Sequence, residues 1–109
     1  MRTEHHKLVR DAIPDIIHRN GARCAAVTMG EGEYRQALRE KLIEEAREVA
    51  GADRQALVTE LADLCEVIDA ILASHGVSRE AVRAEQRRRR AERGGFARRL
   101  RLLWTEAAG

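Results

Sequence analysis

Aromatic side chains are nearly absent: the 109 residues include one Phe, one Tyr and one Trp. With few aromatic or β-branched runs, the chain has little from which to build pleated surfaces, and a sheet-based domain is disfavoured. There is a single proline, so almost nothing interrupts a helix. The two cysteines, Cys24 and Cys65, lie far apart. That excludes a disulfide framework and a paired-cysteine zinc site. Reduced thiols in a cytoplasmic protein are the expectation. His5, His6, His18 and His75 show no ligand spacing and are assigned no chemistry. No apolar run is long enough to cross a membrane. The opening residues, with Arg2, Glu4, His5, His6 and Lys7, are too polar for a signal peptide.

What remains is dominated by Ala, Leu, Arg and Glu, all good helix formers. The length suits one domain, residues 1–109, and a domain this small buries only part of its apolar surface. The expected fold is therefore an all-α helical bundle completed by oligomerisation, as a homodimer or homotetramer. The formal net charge of +2 conceals an uneven distribution, with acidic clusters in the middle and arginines in the last quarter.

Between Lys7 and Arg19, Leu8, Val9, Ala12, Ile13, Ile16 and Ile17 recur at helical spacing, and Pro14 should start, kink or end a turn there. Asn20-Gly21 signals a stop. Ala22–Met29 is short and apolar, and period alone leaves strand and connector both open. A first long helix is expected from about Glu33 to Val49, after Gly30 and Gly32. Gly51-Ala52-Asp53 breaks it, and Asp53 suits an N-cap. A second runs from about Arg54 to Ser74, with Leu57, Leu61, Leu64, Ile68, Ile71 and Leu72 as its apolar stripe. Gly76 suits a left-handed C-terminal cap. Ser78 caps a further helix, from about Arg79 to Arg93, which Gly94-Gly95 ends. The tail Phe96–Trp104 alternates basic and apolar residues.

Two carboxylate pairs stand out. Glu45 and Glu48 are three apart on one expected helix, and Glu60 and Asp63 are three apart on the next. Residues at i and i+3 share a helix face, and a short connection makes the two helices antiparallel neighbours. At about 100° per residue, Glu45 projects within about 20° of Leu38, inside the apolar stripe. Glu60 borders its own stripe beside Val67 and Ile71. A buried carboxylate without a partner costs several kcal/mol, and buried charges pair or bind metal. Hard oxygen donors at this density suit Mg²⁺ or Mn²⁺. The absence of a histidine at a supporting offset argues against zinc or di-iron. Glu40, Glu44, Glu66 and Asp69 read as ordinary surface acids, although Glu44 adjoins the ligand set.

The run KLIEEAREVA (41–50) followed by ELADLCEVIDAI (60–71) resembles the all-α nucleotide pyrophosphohydrolase superfamily, which includes MazG-like enzymes, dimeric dUTPases and phosphoribosyl-ATP pyrophosphohydrolases. The hallmark E-E-x-x-E then E-x-x-D corresponds to Glu44, Glu45, Glu48, Glu60 and Asp63. KLVRDAIPDII (7–17) and ERGGFARRLRLLW (92–104) are similar to the two ends of a small phosphoribosyl-ATP pyrophosphohydrolase-like subgroup. The resemblance implies Mg²⁺ binding by Glu45, Glu48, Glu60 and Asp63. It also favours Lys7, Arg10, Arg93 and Arg98 as substrate contacts.

A triphosphate needs cations beside its metal to offset its charge and orient it. Lys41, one turn before Glu45, joins the four cations just named. The expected activity is hydrolysis of a nucleoside triphosphate or related nucleotide to the monophosphate and pyrophosphate, with Glu44 or Glu45 orienting or deprotonating the attacking water. Phe96 reads as a core anchor rather than a base-stacking residue. Arg87–Arg90 reads as a solvated helix face. The sharper alternative is nucleic-acid contact through phosphates, but the lack of interleaved aromatics weakens a single-strand stacking platform, and a nucleic-acid partner is not expected. The rival readings are an Arg-rich helical nucleic-acid-binding or regulatory module, and a catalytically inactive nucleotide sensor of the same fold.

Overall fold

The computed structural model describes all residues, Met1–Gly109, and its regular elements are all helices. The helices are α1 (Ile13–Arg19), α2 (Glu31–Gly51), α3 (Arg54–Ser74) and α4 (Arg79–Arg93). The chain divides into two compact units, Met1–Gly76 and Val77–Gly109.

In the first unit α1 starts later than its apolar spacing alone would place it. Pro14 is the reason. A proline in a helix interior loses a hydrogen bond and collides with the preceding turn, but in the first turn it is tolerated. The helix therefore begins beside Pro14. A turn precedes it, in which the Ile13 amide donates to the Arg10 carbonyl at 3.0 Å. Gly21, at φ +83, closes the helix. The apolar stretch Ala22–Met29 forms no regular element and is a connector, because it has no strand to pair with.

α2 begins two residues earlier than its glycines imply. Gly32 is accommodated in the first turn, where Glu31 and Glu33 complement the positive end of the helix dipole. Only Ala52 and Asp53 separate α2 from α3. Asp53 caps α3, its Oδ1 accepting from the Ala56 amide at 2.9 Å. Such a cap contributes about 1 kcal/mol and sets where the helix begins. At the other end the His75 and Gly76 amides donate to carbonyls of the last turn, with Gly76 at φ +64.

α2 and α3 pack against each other as an antiparallel hairpin. The far ends are tied together: the Arg35 Nη2 donates to the Ser74 carbonyl at 2.7 Å, and Arg39 lies 3.5 Å from His75 Nε2. The buried core is small, consisting of Leu38 and Val67. Leu8, Ile13, Ile17, Leu42, Val49, Leu64, Ile71 and Leu72 are half-buried around it. Leu57, Leu61 and Ile68 of α3, together with Val9, Ile16 and Ile43, remain exposed.

In the second unit, α4 spans the expected residues, with Ser78 Oγ accepting from the Ala81 amide at 3.1 Å. Every residue of α4 is exposed. Ion pairs along its own surface hold it: Arg87 with Glu80, and Arg88 with both Glu85 and Glu92. Gly94, at φ +83, ends the helix. The residues after it form a turn and then no regular element. Phe96 is 97% exposed, so it is not the core anchor expected. The glycines turn the chain away from α4 with no packed element beneath the ring.

With so small a core, each of its members matters. Leu38→Ala is expected to lower unfolding free energy by about 3 kcal/mol. Urea denaturation followed by circular dichroism at fixed protein concentration measures it.

Candidate metal centre

The carboxylates converge near the closed end of the α2–α3 hairpin. α2 supplies Glu45 and α3 supplies Glu60 and Asp63; one carboxylate oxygen of each lies within 4.8 Å of the others. All three side chains are half-buried. Glu45 is the most withdrawn of the salt-bridged acids there, its side chain 12% exposed. Its place inside the apolar stripe of α2 explains why. Glu48 stands outside this group and is exposed. It lies about 80° around the helix from Leu38, off the stripe that carries Glu45 inward. It is still close enough to act on Glu60 electrostatically.

Glu60 has no cation against it, and its pKa is raised above the ordinary 4.5. Desolvation is the largest cause, followed by repulsion from Glu48, Asp63 and Glu45. The other two members of the cluster have basic neighbours. Lys41 Nζ lies 3.6 Å from Glu45 and 3.5 Å from Glu44. Lys7 Nζ approaches Glu44 from the N-terminal segment, at 3.7 Å. Arg10 Nη2 donates to Asp63 Oδ1 at 2.8 Å. Glu44 thus sits between two ammonium groups and outside the three-carboxylate cluster.

The donor set fits a small divalent cation. Oxygen ligands about 2.1 Å from an octahedral ion lie about 3 to 4 Å apart, so a slight closure of the cluster accommodates one. Carboxylates without nitrogen or sulfur donors favour Mg²⁺ or Mn²⁺ over zinc. A cation there would also remove the repulsion that disfavours the ionised form of Glu60.

Arg93 and Arg98 belong to the second unit. With Gly94, Gly95, Phe96 and Arg99 they line an open cleft of about 280 Å³. In the arginine run, Arg87 and Arg88 are engaged by acids of their own helix. The contact of Arg10 with Asp63 joins residues 53 positions apart. No local spacing announces such a pair. Cys24 makes a local contact, its Sγ 3.5 Å from His18 Nε2.

A family model described as phosphoribosyl-ATP pyrophosphohydrolase matches residues 11–90, well over half of the chain. No curated protein and no solved structure gives a match.

The raised pKa of Glu60 has a definite linkage. The folded state holds the Glu60 proton more tightly than the unfolded chain does. Below about pH 4.5 both states are protonated and folding incurs no penalty from this group. As pH rises through the folded pKa, repulsion destabilises the fold. Glu60→Gln should therefore raise Tm at neutral pH in the presence of a chelator, and the gain should vanish below about pH 4.5. Thermal melts across pH 3.5–7.5 check both limits.

Proposed function

This chain belongs to the phosphoribosyl-ATP pyrophosphohydrolase family, within the MazG-like all-α superfamily of hydrolases acting on phosphoric anhydride bonds, and from that premise we propose that it is a Mg²⁺-dependent nucleotide pyrophosphohydrolase. Its substrate is a nucleoside triphosphate or a phosphoribosyl derivative of ATP, cleaved to the monophosphate form and pyrophosphate. The observation that carries this reading is the meeting of Glu45, Glu60 and Asp63 from two helices within 4.8 Å. The family match runs from residue 11 to 90, across the boundary between the two units. That supports one functional domain over residues 1–109.

Glu45, Glu60 and Asp63, with Glu48 at the edge, would hold Mg²⁺ or Mn²⁺. Such an ion lowers the pKa of a bound water and offsets phosphate charge. Glu44 is the carboxylate assigned to orient and deprotonate the water. It is outside the ligand cluster, with the Lys7 and Lys41 ammonium groups 3.7 and 3.5 Å from its carboxylate. Glu45, withdrawn and paired with Lys41, is better suited to ligation. Lys7, Arg10 and Lys41 beside the carboxylates, and Arg93 and Arg98 of the second unit, are the cations available to a polyphosphate. Arg93 and Arg98 flank a turn whose glycines let a phosphate approach the backbone.

Purified protein is expected to release pyrophosphate from at least one member of a panel of canonical, deoxy and modified nucleoside triphosphates and phosphoribosyl-ATP, with Mg²⁺ or Mn²⁺ present. Asp63→Asn and Glu48→Gln should each lower kcat/KM by at least about tenfold, since even residues that only support metal ligands have effects of that size. Turnover unchanged by both substitutions, or none on any substrate, rejects the assignment.

The same reading includes a homo-oligomer. A first unit with only two buried apolar residues, and with Leu57, Leu61 and Ile68 exposed along α3, supports burial of that face against a second copy. Light scattering after size-exclusion chromatography should give the mass of a dimer or tetramer. Leu61→Glu should shift it toward the 12.3 kDa monomer.

A further inference from the structure

We infer that Arg10 is a positioning residue for Asp63: its guanidinium holds Oδ1 of that carboxylate and thereby fixes how Asp63 faces Glu45 and Glu60. This rests on the metal-centre reading and adds to it a residue acting from outside the ligand set.

The basic groups around the carboxylates differ in kind. Lys7 and Lys41 approach Glu44 and Glu45 at 3.5–3.7 Å, beyond hydrogen-bond length, and supply charge without direction. Arg10 alone makes a hydrogen bond to a member of the cluster, at 2.8 Å. A guanidinium is planar and permanently charged, and its donors are fixed in direction, so it orients a carboxylate as an ammonium does not.

Arg10 is itself held in place. Its carbonyl accepts from the Ile13 amide in the turn that leads into α1. Pro14 then fixes the start of the helix immediately after that turn. The N-terminal segment, which has no regular secondary structure, is therefore anchored next to α3 at the position from which Arg10 reaches Asp63. Partners that orient a metal ligand without touching the ion change metal affinity by about 10- to 100-fold when removed.

The sign of the effect separates this role from a purely electrostatic one. Removing a positive charge beside a cation site favours cation binding. Loss of a positioning hydrogen bond weakens it. Isothermal titration of the full chain with Mn²⁺, without nucleotide, decides between them. Arg10→Gln is expected to weaken Mn²⁺ binding about tenfold, while Arg10→Lys, which keeps the charge but not the planar fork, should also weaken it. In an Asp63→Asn background, Arg10→Gln should no longer weaken Mn²⁺ binding, because the carboxylate it orients is gone. Circular dichroism confirms that the variants keep their helices. Equal or tighter Mn²⁺ binding by Arg10→Gln overturns the inference and leaves the metal centre standing. Absence of Mn²⁺ binding by the unmodified chain overturns both.

Discussion

Repulsion among carboxylates is the constraint around which the first unit is organised. Packing α2 against α3 brings Glu45, Glu60 and Asp63 together from two helices. That packing is driven by apolar contact around Leu38 and Val67, and its electrostatic consequence is unfavourable. The hairpin answers from both ends. Asp53 caps α3 at the closed end, and Arg35 ties α2 to the Ser74 carbonyl at the open end. The strain of gathering like charges is thus carried by a frame whose two ends are independently secured.

The positive charge around the acids is distributed by role. Lys41 rises from the same helix as Glu44 and Glu45 and faces both. Lys7 and Arg10 come from a segment with no helix or strand of its own. That segment meets α2 through Lys7 and α3 through Arg10, so ionic contacts position it where secondary structure does not. Glu60 is left without a cation and titrates upward. Among the three clustered carboxylates, it is the one whose charge most needs compensation from outside the chain.

The helical hairpin was largely legible in the residues. Asp53 and Ser78 are capping side chains with few competing positions nearby, and α3 and α4 begin where they predict. The helical phase of Glu45 relative to Leu38 anticipated its withdrawal from solvent, because a 3.6-residue period leaves a side chain little choice of face. Less was legible where the outcome depended on contact across long sequence separations. Arg10 and Asp63 are far apart in sequence, and neither helical period nor capping chemistry links them. Ala22–Met29 has a composition compatible with a strand, but a strand requires a partner that this chain does not supply. Phe96 illustrates the same limit: an isolated aromatic side chain anchors a core only if a core lies beneath it.

The two-residue link between α2 and α3 has an evolutionary consequence. Adding or removing one residue between Val49 and Thr59 would rotate the following carboxylates by about 100° relative to those before it. With only Ala52 and Asp53 in the link, there is almost no slack to absorb that rotation. Within the helical turns that flank the link, exchanging side chains preserves the register of the acids, and a single-residue insertion does not. Changes of length are accommodated more readily in the connector around Ala22–Met29, where no helical register has to be preserved.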